Sequence, residues 1–386
     1  MQWALSDEQQ AFQDTARRFS RDKLLPYYQE REKNDTMIDR NLSRELGALG
    51  LLGPDLPEEY GGLGASSVTS GVITEEISYG DFNISYISLL ASLMGGIVAK
   101  NAEKAITDHW LPRVIQGDAF IGLGLTEPRG GSDAANLIVK AEKSGNGYIL
   151  NGEKTSMTWS DQADAIVLLA RTGTPEEGAA GVSAFFVPMD EPGVSVTRFD
   201  DSGSAIIGRG SAFFDNVRVP AENLMGAEGM GFIHVMQGFD YSRALIGLMC
   251  TGAAQASLDE AWAYTTERKA MGLHLAQYQG VTFPLAEGET MMTAARQLCY
   301  HTLALRDAGL PHTAEAAMCK WFAPKHAHDV IHQCLLTFGH YGYTKDLPHQ
   351  QRMRDVMGLE IGDGTAQIQK LIIAREKVGR IAVQYG

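Results

Sequence analysis

"SGNGYILNGEKTSM", residues 144–157, decides how the chain divides. Its opening Ser-Gly-Asn-Gly is a hairpin turn, because Gly and Asn reach the backbone conformations that a tight reversal needs. The run behind it is the first of several that are short and rich in β-branched and aromatic residues. "DAIVLLART" (164–172), "VSAFFVPM" (182–189), "GVSVTRF" (193–199) and "SAFFDNVRV" (211–219) follow, divided by Gly, Asn, Asp and Pro. Five or more strands without intervening helices predict a small barrel or sandwich, beginning near residue 119 and ending near Pro220.

The flanks have a different period. Near the start, Ser6 and Gln9 form a capping-box pattern, with Phe12, Ala16 and Phe19 at helical spacing. "DRNLSRELGALGLLG" (39–53) reads as a helix closed by glycine, and "PDLPEEYGGLGAS" (54–66) as a loop. "SVTSGVITEEISYGD" (67–81) and "ISYISLLASLMGGIVAKNA" (84–102) read as helices, the second mostly apolar and so buried. Helices return from about residue 229. "ALIGLMCTGAAQASLDEAWAYTTERKAM" (244–271) is one long helix, followed by 285–309, 313–340 and a closing segment 358–384. Four antiparallel helices would make a bundle. The expected fold class is α+β multidomain: 1–118 helical, 119–228 a β-barrel, 229–386 a C-terminal four-helix bundle.

The chain has 386 residues, enough for two or three domains at about 150 residues each. Its charge of −14 argues against a nucleic-acid or anionic-membrane partner. No apolar run approaches the ~20 residues of a membrane span. The first residues lack a basic region followed by an apolar core, so no signal peptide is expected. Cys250, Cys299, Cys319 and Cys334 have no metal or disulfide spacing and suit reduced thiols in a cytoplasmic protein. His328 and His332 share a helical face, but no acidic residue completes an HExxH pattern, so no metal is expected.

Two stretches carry chemistry. "GLGLTEPRGGSDAAN" (122–136) is a glycine-rich loop with the hydroxyls of Thr126 and Ser132. It could hold a polyanionic cofactor through backbone N–H groups, or it could be a structural turn. "GLEIGDGTAQIQKLIIARE" (358–376) places Asp363 between two glycines, ahead of a helix whose face is Ile368, Leu371 and Ile372. Gly364 and Thr365 read as turn and N-cap. Asp363 is either a carboxylate answering the helix dipole or a catalytic acid–base group, and the stretch alone leaves both open.

The order of segments and five motifs resemble the acyl-CoA dehydrogenase family along nearly the whole chain. "LTEPRGGSD" is similar to the family's TEP-x-x-GSD signature, and "GFDYSRALIG" (238–247) to its pantetheine-binding segment. "TERKAMG" (266–272) resembles the element that reaches a neighbouring subunit's FAD. "FGHYGYTKDLPHQQRMRD" (338–355) resembles the glycine-rich turn with its RD, and "GDGTAQIQKLIIARE" the EGT-x-x-IQ-x-x-IAR ending. The resemblance implies FAD as cofactor and an acyl-CoA thioester as substrate. It also implies an electron-transfer flavoprotein as acceptor and a homotetramer, a dimer of dimers.

Carried over residue by residue, it implies that Leu125, Thr126, Ser132, Met157 and Thr158 line the flavin, with Ser132 also on the CoA side. Arg268 and Gln279 would reach FAD from the adjacent subunit, Gly339 of the glycine-rich turn would also bind the cofactor, and Thr365 and Gln367 would complete its site. Asp240, Arg243, Gly362 and Gly364 would lie on the substrate side. The family's Trp two residues before Thr158 is replaced by Ser156, with Trp159 following. Met271 stands for the usual Phe, His340 for a second Gly and Leu336 for a Gln. Asp363 takes the place of the catalytic Glu. The other position that relatives use for a base is Ser242 here, so the resemblance makes Asp363 the base.

Asp is one methylene shorter than Glu, about 1.5 Å of reach. The large aromatic residue usual before the base is Gly362. A shorter base with an emptied neighbour suits an acyl group wide at Cα and Cβ, as in cyclohexane-1-carboxyl-CoA dehydrogenases, which this pattern resembles. The product would be cyclohex-1-ene-1-carboxyl-CoA. A short- or medium-chain linear acyl-CoA dehydrogenase is the alternative. A nitroalkane-oxidase-like flavin oxidase also uses an Asp base but has no need of Asp240 and Arg243. A fold-sharing monooxygenase should lack an acid at 363. A non-catalytic binding protein would hold flavin that no acyl-CoA bleaches.

Overall fold

The computed structural model describes residues 5–34 and 37–383. The first residues of the signal-peptide reading and the last residue of the 358–384 segment lie outside the described residues. Helices come first: α1 (Asp7–Phe19), α2 (Tyr28–Lys33), α3 (Arg40–Ala48), α4 (Ser67–Gly80), α5 (Ser85–Asn101) and α6 (Lys104–Ile115). The expected capping box opens α1. Ser6 Oγ accepts from the Gln9 N–H, and the Gln9 side chain accepts from the Ser6 N–H. α4 and α5 are buried over most of their surface, as their apolar, small-residue sequences require.

The strands are β1 (Ile121–Gly124), β2 (Lys140–Ser144), β3 (Gly147–Met157), β4 (Ala165–Arg171), β5 (Val182–Pro188), β6 (Val194–Arg198) and β7 (Gly210–Pro220). They form one seven-stranded sheet in the order β1-β4-β2-β3-β7-β6, with β5 on the other side of β4. β2 and β3 are the hairpin read from the sequence, turning at Gly145 with φ 63°. β4 is buried on both faces and pairs parallel to β1, which explains its unbroken apolar run. The sheet curls around a core of Leu150, Leu168, Phe185 and Phe214 without closing into a full cylinder.

After the sheet come α7 (Gly231–Glu267), the two-residue strands β8 (Lys269–Ala270) and β9 (Leu273–His274), α8 (Gln279–Asp307), α9 (Thr313–Thr337), α10 (His349–Ile361) and α11 (Ala366–Val378). α8 is antiparallel to both neighbours. A Cβ on its Gly288 would touch Leu258 of α7 and Val330 of α9, whereas its Cys299 lies against Gly247 and its Thr302 against Cys319.

Three expectations are corrected. The long helix ends at Glu267, not Met271, because Arg268 is extended and Met271 and Gly272 have φ of 48° and 84°; a small hairpin results. α8 starts at Gln279, six residues before the expected 285. The 358–384 segment is two helices, broken where Asp363 and Gly364 take φ of 54° and 89°. Among the described residues no helix is long and apolar enough to cross a membrane.

Candidate active site

The break between α10 and α11 decides between the two readings of Asp363. The N-cap of α11 is Thr365, whose hydroxyl accepts from the Ile368 N–H at 3.4 Å. Capping is therefore done by a neighbour, and the Asp363 carboxylate is free for another task. Among the described residues the Asp363 N–H has no hydrogen-bond partner. A non-glycine residue at φ 54° is uncommon, and such strain gathers where surrounding structure enforces it.

The enforcement can be traced. Lys320 of α9 donates to the Leu359 carbonyl at 2.5 Å and to the Gly364 carbonyl at 3.3 Å. Gln369 Nε2 donates to the Asp363 and Gly364 carbonyls at 3.2 and 3.1 Å. Gly364 suits glycine because its φ of 89° is one that L side chains rarely adopt, and a Cβ there would also displace Gln369 Nε2, 2.6 Å away. Gly362 is different. Its φ is −61°, open to any residue, and a Cβ would meet nothing nearer than the Gly358 carbonyl at 3.4 Å. What glycine provides at 362 is space.

Asp363 is half-buried. Burial raises its pKa, opposed by the positive charges of Lys320, Arg243 and Arg209. Tyr86, in the first turn of α5, faces the same carboxylate; burial and that negative charge both push its phenol upward. Helices α5, α7 and α9, the segment before β7 and the α10–α11 turn thus converge on one carboxylate. Asp240 accepts from Arg243 Nη1 at 2.8 Å and from Thr313 Oγ1 at 2.6 Å, so it orients Arg243. Arg243 is 6 % exposed and its Nε has no acceptor in the chain.

The sheet brings its loop alongside. The Thr126 carbonyl accepts from the Thr155 N–H at 2.9 Å, tying the 125–132 loop to β3. Thr158 follows β3, and Met157 pairs across the sheet with Gly210, next to Arg209. Leu125, Thr126 and Thr158 are half-buried and Ser132 is exposed. The Met157 side chain is 2 % exposed within the sheet core, so it is its backbone that can meet a ligand. Trp159 is also withdrawn, stacked on Phe120 with centroids 4.4 Å apart, so it covers no ligand face. Thr365, Gln367, Gly362 and Gly364 lie beside Asp363 by sequence.

Arg268, Gln279 and Gly339 are elsewhere. Along α7, Arg268 is 25 residues beyond Arg243, about 37 Å at ~1.5 Å per residue. The antiparallel packing puts Gln279 at the start of α8, Gly339 just past the end of α9 and Arg268 at one end of the bundle. Lys320 and Asp240 are at the other. All three residues are exposed, and Met271, in the hairpin beside them, is 97 % exposed. Within one chain the two groups therefore lie far apart. The residues at the Asp363 end suit FAD. The hydroxyls of Thr126 and Ser132 sit on a loop where a Cβ at Gly130 would meet nothing within 4 Å, which leaves room for a cofactor against the backbone.

Lys320, Arg209 and Tyr86, which face Asp363, carry no sequence motif, and Gln369 lies in the closing motif with nothing local to mark it as a brace for the turn. Lys320 had a readable sign, a lone cation on the stripe of Ala316, Ala317, Ala323 and Ala327, all fully buried. Glu127 and Lys154 also escaped notice. Among the described residues, no cluster of His, Cys, Asp and Glu could hold a metal.

Models of the acyl-CoA dehydrogenase N-terminal, middle and C-terminal domains match residues 6–118, 122–217 and 229–378. The chain is 34 % identical to the mitochondrial short-chain specific acyl-CoA dehydrogenase of Rattus norvegicus over 96 % of its own length and 90 % of that protein. It is similar to butyryl-CoA dehydrogenase from Megasphaera elsdenii, with TM-score 0.94, 30 % identity and coverage of 98 % of this chain and 100 % of that one. A glutaryl-coenzyme A dehydrogenase in complex with glutaryl-CoA gives TM-score 0.95 at 30 % identity, covering 100 % of this chain and 99 % of that one. The chain belongs to the acyl-CoA dehydrogenase family and is an FAD-dependent oxidoreductase acting on acyl-CoA.

Proposed function

We propose that the protein catalyses α,β-dehydrogenation of a short acyl-CoA that is cyclic or α-branched, such as cyclohexane-1-carboxyl-CoA, with Asp363 as the base. The observation that carries the base is the left-handed Asp363, relieved of capping by Thr365 and held by Lys320 and Gln369. Its carboxylate removes the α-proton. Its unpartnered N–H is available to the thioester carbonyl, where negative charge develops. Thr126, Thr158, Thr365 and Gln367 would hold the cofactor, and Arg243, oriented by Asp240, would complete the substrate side. The chemistry FAD would supply there is that of a hydride acceptor for the substrate Cβ.

The ring reading rests on Gly362. Its backbone does not require glycine, so the missing side chain reads as room beside a shortened base. Tyr86 adds a large half-buried side chain facing Asp363. A short linear substrate is the second reading, favoured by the similarity to short-chain and butyryl-CoA dehydrogenases. Anaerobic titration with linear and cyclic acyl-CoAs, followed by flavin absorbance, separates them. Bleaching by butyryl-CoA but not by cyclohexane-1-carboxyl-CoA rejects the ring.

The remote group at Arg268 supports a homo-oligomer, a tetramer on the family pattern, in which each copy completes its neighbour's FAD site. Electrons then leave to an electron-transfer flavoprotein. The four cysteines are all free and buried, which suits a reducing, cytoplasmic setting.

A further inference from the structure

We propose that Lys320 is a positioning residue for the reaction, its ammonium fixing the strained turn that presents Asp363 and supplying the nearby positive charge that keeps the base ionised. This rests on Asp363 being the base. Lys320 lies in α9 with no exposure to solvent. A buried ammonium is unfavourable unless its charge is answered and its donors are filled. Here the donors go to backbone. The Leu359 carbonyl belongs to the last turn of α10, where an intrahelical partner would be the N–H of Asp363. The left-handed step at Asp363 takes that N–H away, and Lys320 Nζ supplies the missing donor. The second bond goes to the carbonyl of Gly364, across the base. One ammonium therefore spans the turn from both sides, while Gln369 holds its remaining carbonyl.

The charge has a second effect. The groups facing Asp363 are Lys320 from α9, Arg243 from α7, Arg209 from the segment before β7 and Tyr86 from α5. Those facing Lys320 are Asp363, Glu360, Arg243 and Cys250. Arg243 is already bound to Asp240 and Arg209 to Asp201, at 2.8 Å each. Lys320 makes its hydrogen bonds to neutral carbonyls, so no carboxylate neutralises it directly and Asp363 is the largest charge acting on it. Burial lowers its pKa to about 8, and it stays cationic at the lower pH where the carboxylate titrates.

The test uses the FAD-loaded enzyme with butyryl-CoA and cyclohexane-1-carboxyl-CoA. In Lys320→Met the acid limb of kcat/KM moves to higher pH, and the plateau rate falls on the order of 10²-fold for a base displaced by about 1 Å. Lys320→Gln keeps a donor without the charge, so it recovers rate but keeps the shifted limb. A melting temperature that falls while the acid limb stays at its wild-type pH in both variants overturns the proposal. Stability supplies an independent readout. Removing Lys320 strips the Asp363 carboxylate of one of its compensating charges, so adding Asp363→Asn to Lys320→Met should raise the melting temperature or restore solubility. A double variant no more stable than the single one overturns the charge coupling. Asp363→Asn alone that turns over normally removes the base reading instead, whereas an inert Asp363→Asn with an unshifted Lys320→Met profile removes only Lys320.

Discussion

Lys154 and Glu127 form an ion pair of 2.8 Å with side chains 0 % and 2 % exposed, and the pair locks the glycine-rich loop to the sheet. Glu127 also accepts from the Ile138 and Val139 N–H groups at 2.7 and 2.9 Å, and Lys154 also donates to the Leu125 carbonyl at 3.1 Å. The carboxylate thus closes the loop between residues 127 and 139 while the ammonium anchors its first residue. Burial lowers the lysine pKa to about 8, with Glu127 opposing.

Lys154→Met should therefore strand a buried carboxylate, at a cost of about 3–5 kcal/mol. Flavin should be released well below the melting temperature of the wild type. A variant that stays yellow and melts normally would show that the loop is held by other contacts.

Arg268 and Asp363 lie at opposite ends of the bundle, which permits a complementation test. Arg268→Ala should lose flavin, and Asp363→Asn should be inert. Each mixed dimer pairs one intact Asp363 with an intact Arg268 from the neighbour, which rebuilds one working site. Co-expression of two differently tagged variants should recover up to half the wild-type activity per mixed dimer. No recovery in purified mixed oligomers would place Arg268 outside the neighbour's site.

The α, β, α order was legible because period and composition change sharply near residues 119 and 229. The hairpin at Gly145 and the cap at Ser6 were legible because their residues interact locally. The break at Asp363 was half legible: Thr365 announced the next helix, but nothing in the segment told capping from catalysis. That distinction depends on Lys320, 43 positions away, and on Gln369 crossing the turn. Met157 shows the converse. Position in a motif assigned it to the cofactor, while the alternation of β3 turns its side chain into the sheet core.

His349 gives a stability prediction. It is fully buried, its Nδ1 lies 3.2 Å from Ser257 Oγ, and burial lowers its pKa to about 4. The unfolded chain binds this proton below about 6.5, whereas the folded chain resists it. The stability that neutral His349 contributes is present above about 6.5 and is lost as pH falls toward about 4. Melting temperature should drop over that interval, and His349→Gln should flatten the drop. An equal slope in the variant would assign the acid lability to other groups.

Asp363→Asn and Asp363→Glu separate the capping, basic and steric parts of one side chain. Thr365 supplies the cap, so Asp363→Asn should fold, retain FAD and bind acyl-CoA. Without a base, flavin reduction should slow by about 10²–10⁴-fold. In the wild type the carboxylate must be ionised, and burial holds its pKa above the ordinary aspartate value. Activity should therefore fall as pH drops through that raised value, and the remnant activity of Asp363→Asn should lack this limb. Asp363→Glu keeps the charge and extends the arm by about 1.5 Å into the space beside Gly362. That space is where a ring would sit, so the variant should remain active with butyryl-CoA and lose cyclohexane-1-carboxyl-CoA preferentially. Normal turnover by Asp363→Asn would end the base assignment. An unchanged substrate ranking in Asp363→Glu would leave the base in place and reject only the ring.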